Sequence, residues 1–144
     1  MKKAGRINVI IIFTICLVVF LISGYTLYAN PVYIYGDGNG NTYIISWNFK
    51  GKTLEYKPVK PENSSSGEYD GGKYIKKKLN DIQYNEITSI IDKAVKNKKV
   101  HIKDRIKMSG MITIQKAKNK TTCIIKPGSK EQIEIEKTLK KALK

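Results

Sequence analysis

Three hydroxyls, a phenol and two carboxylates fall together at Ser64, Ser65, Ser66, Glu68, Tyr69 and Asp70, among glycines at 67, 71 and 72. A serine beside a carboxylate and a histidine can act as a nucleophile, and the chain has one histidine, His101. Two carboxylates can also divide general acid and base work. The spacing argues against both chemistries. No Gly-x-Ser-x-Gly elbow surrounds the serines, and carboxylates two apart in a loop have no fixed separation. The segment reads as a solvated or binding loop, with a small hydrolase using this loop and His101 as the lesser alternative.

Metal ligation is also poorly supported. One histidine does not make a centre. The run Asp37-Gly38-Asn39-Gly40-Asn41 resembles the start of a calcium loop, with oxygens at positions one, three and five. Position six is then Thr42 where glycine is needed, and position twelve is Asn48 where glutamate is needed. A hairpin turn is the better reading. Cys123 stands in an alternating apolar run and is expected to be a small buried hydrophobe. No metal and no cofactor is expected, and no residue is assigned a catalytic role.

Charge is more informative. Lys and Arg number 27 against 12 acidic residues, a net charge of +15. Residues 30–92 are neutral, with eight cations and eight anions, whereas residues 93–144 carry sixteen cations and four anions, a net of +12. Lys137, Lys140, Lys141 and Lys144 fall late in a predicted terminal helix, where the macrodipole favours them. Lys98, Lys99, Lys103, Arg105, Lys107, Lys116, Lys118 and Lys120 have no such local reason. They are the candidate polyanion-binding residues. Nucleic acid is a poor match. All thirteen aromatics lie at or before Tyr84, and only two of the 27 cations are Arg. Single-strand binding stacks bases on aromatic rings, and base reading leans on bidentate Arg. Anionic lipid and phosphate-bearing envelope polymer remain as expected partners.

The N-terminus says where such partners would be met. Lys2, Lys3 and Arg6 precede an uncharged stretch from Ile7 to Gly36, and Val9 to Ile22 is nearly all apolar. Residues 7–29 as a helix span about 34 Å, enough for a bilayer core of about 30 Å. Tyr25 and Tyr28 fall at the outer interface, and the basic flank orients residues 1–6 to the cytoplasm. No small-x-small pair marks a good cleavage site, which favours an uncleaved anchor over a signal peptide. The other 115 residues, 30–144, are then one extracytoplasmic domain.

That domain reads as α+β. Strands are expected at 32–35, 42–49 and 53–57, with a turn at 36–41 and a lead-in or strand at 74–79. Pro58 and Pro61 end regular structure before the Ser/Gly loop. Asn80 and Gln83 form a capping box for a helix that stops near Asn97, with Ile87, Ile90, Ile91, Ala94 and Val95 inward. Two strands at 111–115 and 121–126 form a hairpin. Ser129 caps a terminal helix with Ile133, Leu139, Ala142 and Leu143 inward. Residues 100–108 have no clear pattern. A β-meander, helix, β-hairpin and terminal helix give an antiparallel sheet covered on one face. The function that fits is a membrane-tethered binding or accessory module with a lysine-rich face. A structural subunit of a membrane complex is the alternative, marked by an exposed Tyr43, Trp47 and Tyr56 patch.

Overall fold

The computed structural model describes residues 30–64 and 66–144. The expected basic flank (1–6), the membrane span (7–29) and Ser65 lie outside the described residues. Among the described residues no helix is long and apolar enough to cross a membrane.

Seven antiparallel strands form one sheet: β1 Val32–Gly36, β2 Thr42–Asn48, β3 Gly51–Lys57, β4 Ile75–Leu79, β5 His101–Ile102, β6 Gly110–Lys116 and β7 Asn119–Ile125. Their spatial order is β4-β3-β2-β1-β6-β7-β5. The first four make a meander, and β6 joins it by pairing with β1, Tyr35 opposite Ile112. Helices α1 (Asp81–Lys96) and α2 (Lys130–Leu143) follow β4 and β7.

Period-two alternation decides which face they cover. Tyr33, Tyr35, Tyr43, Ile45, Leu54 and Ile112 point to one face and are buried with Ile87, Ile91, Ile135 and Leu139 from the helices. The other face carries half-buried Ile34, Ile44, Met111 and Ile124. It also carries the hydroxyl pairs Ser46–Thr53, 3.0 Å apart, and Thr113–Thr122, 3.1 Å apart.

Local signals account for the helices. The Gln83 N–H donates to Asn80 Oδ1 (2.8 Å), and the Asn80 N–H donates to Gln83 Oε1 (3.1 Å), closing the expected box. Asn97 ends α1, and its Nδ2 donates to Glu131 Oε1 at 2.6 Å. The terminal helix differs from expectation. Ile135 and Gln132 face inward, and Ile133 is 58% exposed. Gln132 is tolerated inside because its amide donates to the Met108 carbonyl (2.9 Å) and to Glu136 (3.1 Å), and accepts from the Gly128 N–H (2.9 Å). Phenols above the sheet are satisfied in the same way: Tyr35 Oη donates to Glu136 at 3.0 Å and Tyr33 Oη to Asp92 at 3.4 Å.

Candidate functional site

The strand register divides the eight candidate cations between the two ends of the sheet. Lys116 pairs with Asn119 across a two-residue turn at Ala117-Lys118, and Lys120 follows. This tip lies beside the first residue of β1, because Val32 pairs with Gln115. Gly110, which pairs with Ile125, begins the same hairpin six residues away, about 20 Å along the strand. The other five cations belong to that far end. Lys98 and Lys99 form a single 3-10 turn before β5, and Lys103, Arg105 and Lys107 lie on the loop from β5 back to β6. The structure therefore brings the eight together as two groups rather than one continuous face.

All eight are exposed. Ion pairs form elsewhere, as at Lys52–Asp81 (2.9 Å) and Lys57–Glu55 (3.3 Å). Among the described residues none of the eight cations is within ion-pair distance of a carboxylate. Asp104, exposed between Lys103 and Arg105, is the one acid within this set of positions, and it forms no such pair.

The far loop is held firmly despite its exposure. Arg105 Nη2 donates to the Asp37 carbonyl at 3.2 Å, and Ser109 Oγ donates to the Ile106 carbonyl at 2.7 Å. The loop backbone presses on the β1–β2 turn so closely that a Cβ on Gly38 would come 2.6 Å from Met108 Cα. Met108 itself takes a left-handed φ of 64°.

The Asp37–Asn41 turn has a structural occupation. Asp37 Oδ1 accepts the N–H groups of Asn39 and Asn41, both at 2.9 Å, and Oδ2 accepts Asn41 Nδ2 at 2.8 Å. Asn41 also donates to Tyr69 Oη (2.8 Å) and accepts the Val59 N–H at 3.0 Å. Tyr56 Oη donates to the Gly71 carbonyl at 2.6 Å. The Ser/Gly loop is thus folded back onto the β1–β2 turn. Of its candidates, Ser64 Oγ donates to the Pro61 carbonyl (3.0 Å), and Ser66 Oγ accepts the Glu68 N–H (3.3 Å). Asp70 accepts the Gly72 N–H at 2.9 Å, and this bond, with Lys60 nearby, lowers its pKa from the ordinary carboxylate value. Composition does not signal the clamp role of Tyr69, which depends on a contact 28 residues away in sequence.

His101 is not near this loop. It lies on β5, four strand spacings from β2, whose neighbour Asn41 holds Tyr69; that is about 19 Å. Its Nε2 is 2.9 Å from the Ala94 carbonyl, which can only accept, so the ring donates there. Among the described residues the geometry gives the hydrolase alternative no proton-transfer pair. Cys123 is half-buried, and burial pushes its thiol up while Lys98 opposes. The aromatic patch expected of a structural subunit is also absent as such. Tyr43 is buried against Tyr56 with ring centroids 4.9 Å apart, leaving Trp47 partly exposed.

Compared with protein-family models, curated proteins and solved structures, the chain matches none of them.

Proposed function

We propose that this chain is a single-pass membrane protein whose extracytoplasmic α+β domain binds phosphate-bearing polyanions of the envelope through its lysines. Residues 7–29 would anchor it with the N-terminus in the cytoplasm, and the domain would act by binding rather than by catalysis. One observation carries the reading: eight exposed cations, all from the C-terminal half, have no carboxylate partner among the described residues. A set of lysines kept only for solubility would be interspersed with acids and would pair with some of them. Of the far group, Lys103, Arg105 and Lys107 stand on a loop braced against the β1–β2 turn, with Lys98 and Lys99 on the 3-10 turn before β5. The group would face away from the bilayer, towards polymer.

The test uses the full chain in nanodiscs of neutral lipid, with inorganic polyphosphate as probe. Binding should weaken steeply between about 0.1 M and about 1 M salt, as the screening length falls from about 10 Å to about 3 Å. Affinity that does not change across that range refutes the electrostatic reading.

A further inference from the structure

The group at the near end of the sheet has a second feature that charge alone does not explain. Two hairpin tips project there. The β2–β3 tip is Phe49-Lys50, between paired Asn48 and Gly51. The β6–β7 tip is Ala117-Lys118, between paired Lys116 and Asn119. β2 runs two residues past the level of Val32, since Tyr33 pairs with Ile45, and β6 runs one residue past it. The chain therefore enters β1, through Asn30 and Pro31, between the two tips. Three strand spacings separate them, about 14 Å.

Phe49 is 94% exposed at its tip. The Lys50 ammonium lies over its ring, 5.6 Å from the centroid. Trp47, two residues back, is 46% exposed beneath Lys52 at 4.4 Å. The nearby acids are already engaged: Asp81 by Lys52 at 2.9 Å and Glu86 by Lys141 at 3.9 Å. An aromatic ring beside unpaired lysines suits the water–bilayer boundary, where rings sit at headgroup level and cations meet phosphate.

We propose that these two tips dock on anionic lipid headgroups of the membrane that residues 7–29 enter, with Phe49 inserted and Lys50, Lys116, Lys118 and Lys120 on the phosphates. The proposal rests on the tethered reading above. It adds an orientation and two residues, Phe49 and Lys50, to the eight cations. Reach supports it. Only Asn30 and Pro31 separate residue 29 from β1, three Cα steps or at most about 11 Å of chain, against a headgroup layer of about 5–7 Å. Charge excludes the simplest rival, because two copies meeting tip to tip would set lysines against lysines. A soluble polyanion would use the lysines and leave Phe49 without a role.

Trp47 is the only tryptophan, so it reports the tip directly. The full chain is reconstituted in phosphatidylcholine vesicles with and without phosphatidylglycerol, part of the phosphatidylcholine being brominated near the headgroup. Trp47 emission should be quenched by brominated lipid, more strongly when phosphatidylglycerol is present. Each lysine favours the docked over the undocked state about fivefold. The triple variant Lys116→Gln, Lys118→Gln, Lys120→Gln should therefore cut the dependence on phosphatidylglycerol to the roughly fivefold share of Lys50, and Phe49→Ser should lower quenching in both lipids. Both changes are at exposed tips and leave the core intact. Absent quenching, quenching indifferent to Phe49→Ser, or polyphosphate binding at the tips without quenching overturns the docking proposal. Resistance of the chain to carbonate extraction separates the two claims: a resistant chain with unquenched Trp47 sinks docking alone, and an extracted chain sinks the tether.

Discussion

Asn41→Ala tests whether the Asp37–Asn41 turn and the Ser/Gly loop form one clamp. Asn41 is 3% exposed, and its side chain makes three hydrogen bonds. The bonds to Tyr69 and from the Val59 N–H lie where water can partly replace them, at about 1 kcal/mol each. The bond to the Asp37 carboxylate is buried and charge-assisted, so its loss costs about 1.5–3 kcal/mol. The total is about 3–5 kcal/mol, a large share of the 5–15 kcal/mol that usually stabilises a domain. Urea unfolding of the full chain in micelles, followed by Trp47 emission, measures it. With a slope of about 2 kcal/mol/M the midpoint should fall by about 2 M. Asn39→Ala is the control. Asn39 contributes only a backbone N–H to the turn, so its substitution should change stability by less than about 0.5 kcal/mol. A loss under about 1 kcal/mol for Asn41→Ala refutes the clamp. So does a midpoint raised by added calcium, because Asp37 would then hold an ion rather than these three N–H donors.

Gly110 lies under the Tyr35 ring, and a Cβ there would come 2.6 Å from Tyr35 Oη. Gly110→Ala should cost about 1–3 kcal/mol in the same assay, and a neutral result refutes that packing. Alkaline pH should destabilise the fold. Burial, with Asp92, pushes the Tyr33 phenol up to about 12, and Tyr35 and Tyr43 are pushed higher still, chiefly by burial. Unfolded phenols release their proton near pH 10. The unfolded state therefore binds fewer protons between pH 10 and 12, and stability present below pH 10 is lost as pH rises through that window. Tyr33 alone accounts for about 2 kcal/mol, after allowance for its contact with water. A urea midpoint that stays flat from about pH 9 to about pH 11.5 contradicts this. Lys103→Gln with Lys107→Gln should weaken polyphosphate binding and flatten its salt dependence with no change in the urea midpoint; unchanged binding removes the far loop from the site.

Where one rule acted alone, the fold was legible in the sequence. Alternation puts Tyr43, Ile45, Trp47 and Phe49 on one apolar face, of which Tyr43 and Ile45 are covered while Trp47 and Phe49 run out to the exposed tip, and the Asn80 and Gln83 spacing marks the start of α1. It failed where partners distant in sequence decide. Gln132 faces inward, against its polarity, because the Met108 carbonyl and Glu136 wait for it there. Residues 100–108 had no period because β5 is only two residues long and the following loop is shaped by contact with Asp37 and Gly38. The site was half legible. Composition picked out the eight cations, but only strand register could divide them between two ends, since Lys107 and Lys116 are close in sequence and far apart on the sheet.

That division gives the near group an advantage that its chemistry lacks. Lysine is a flexible, strongly hydrated point charge, and each one near an anionic surface contributes only about 1 kcal/mol. Free in solution, four such contacts would scarcely offset the translational and rotational freedom lost on binding. On the proposed tether that freedom is already lost, and the tips meet the headgroups at a high effective concentration set by two linking residues. About 4 kcal/mol then suffices to hold one orientation of the domain for all but about one part in a thousand of the time. The sheet, rigid along its strands, would carry that orientation some 20 Å to the far loop. Lengthening the link at Asn30 with a flexible Gly/Ser segment should therefore lower Trp47 quenching by brominated lipid as the segment grows, while polyphosphate binding at the far loop stays constant. Quenching indifferent to link length would mean that the tips hold the membrane without help from the tether, and the argument from proximity would fall.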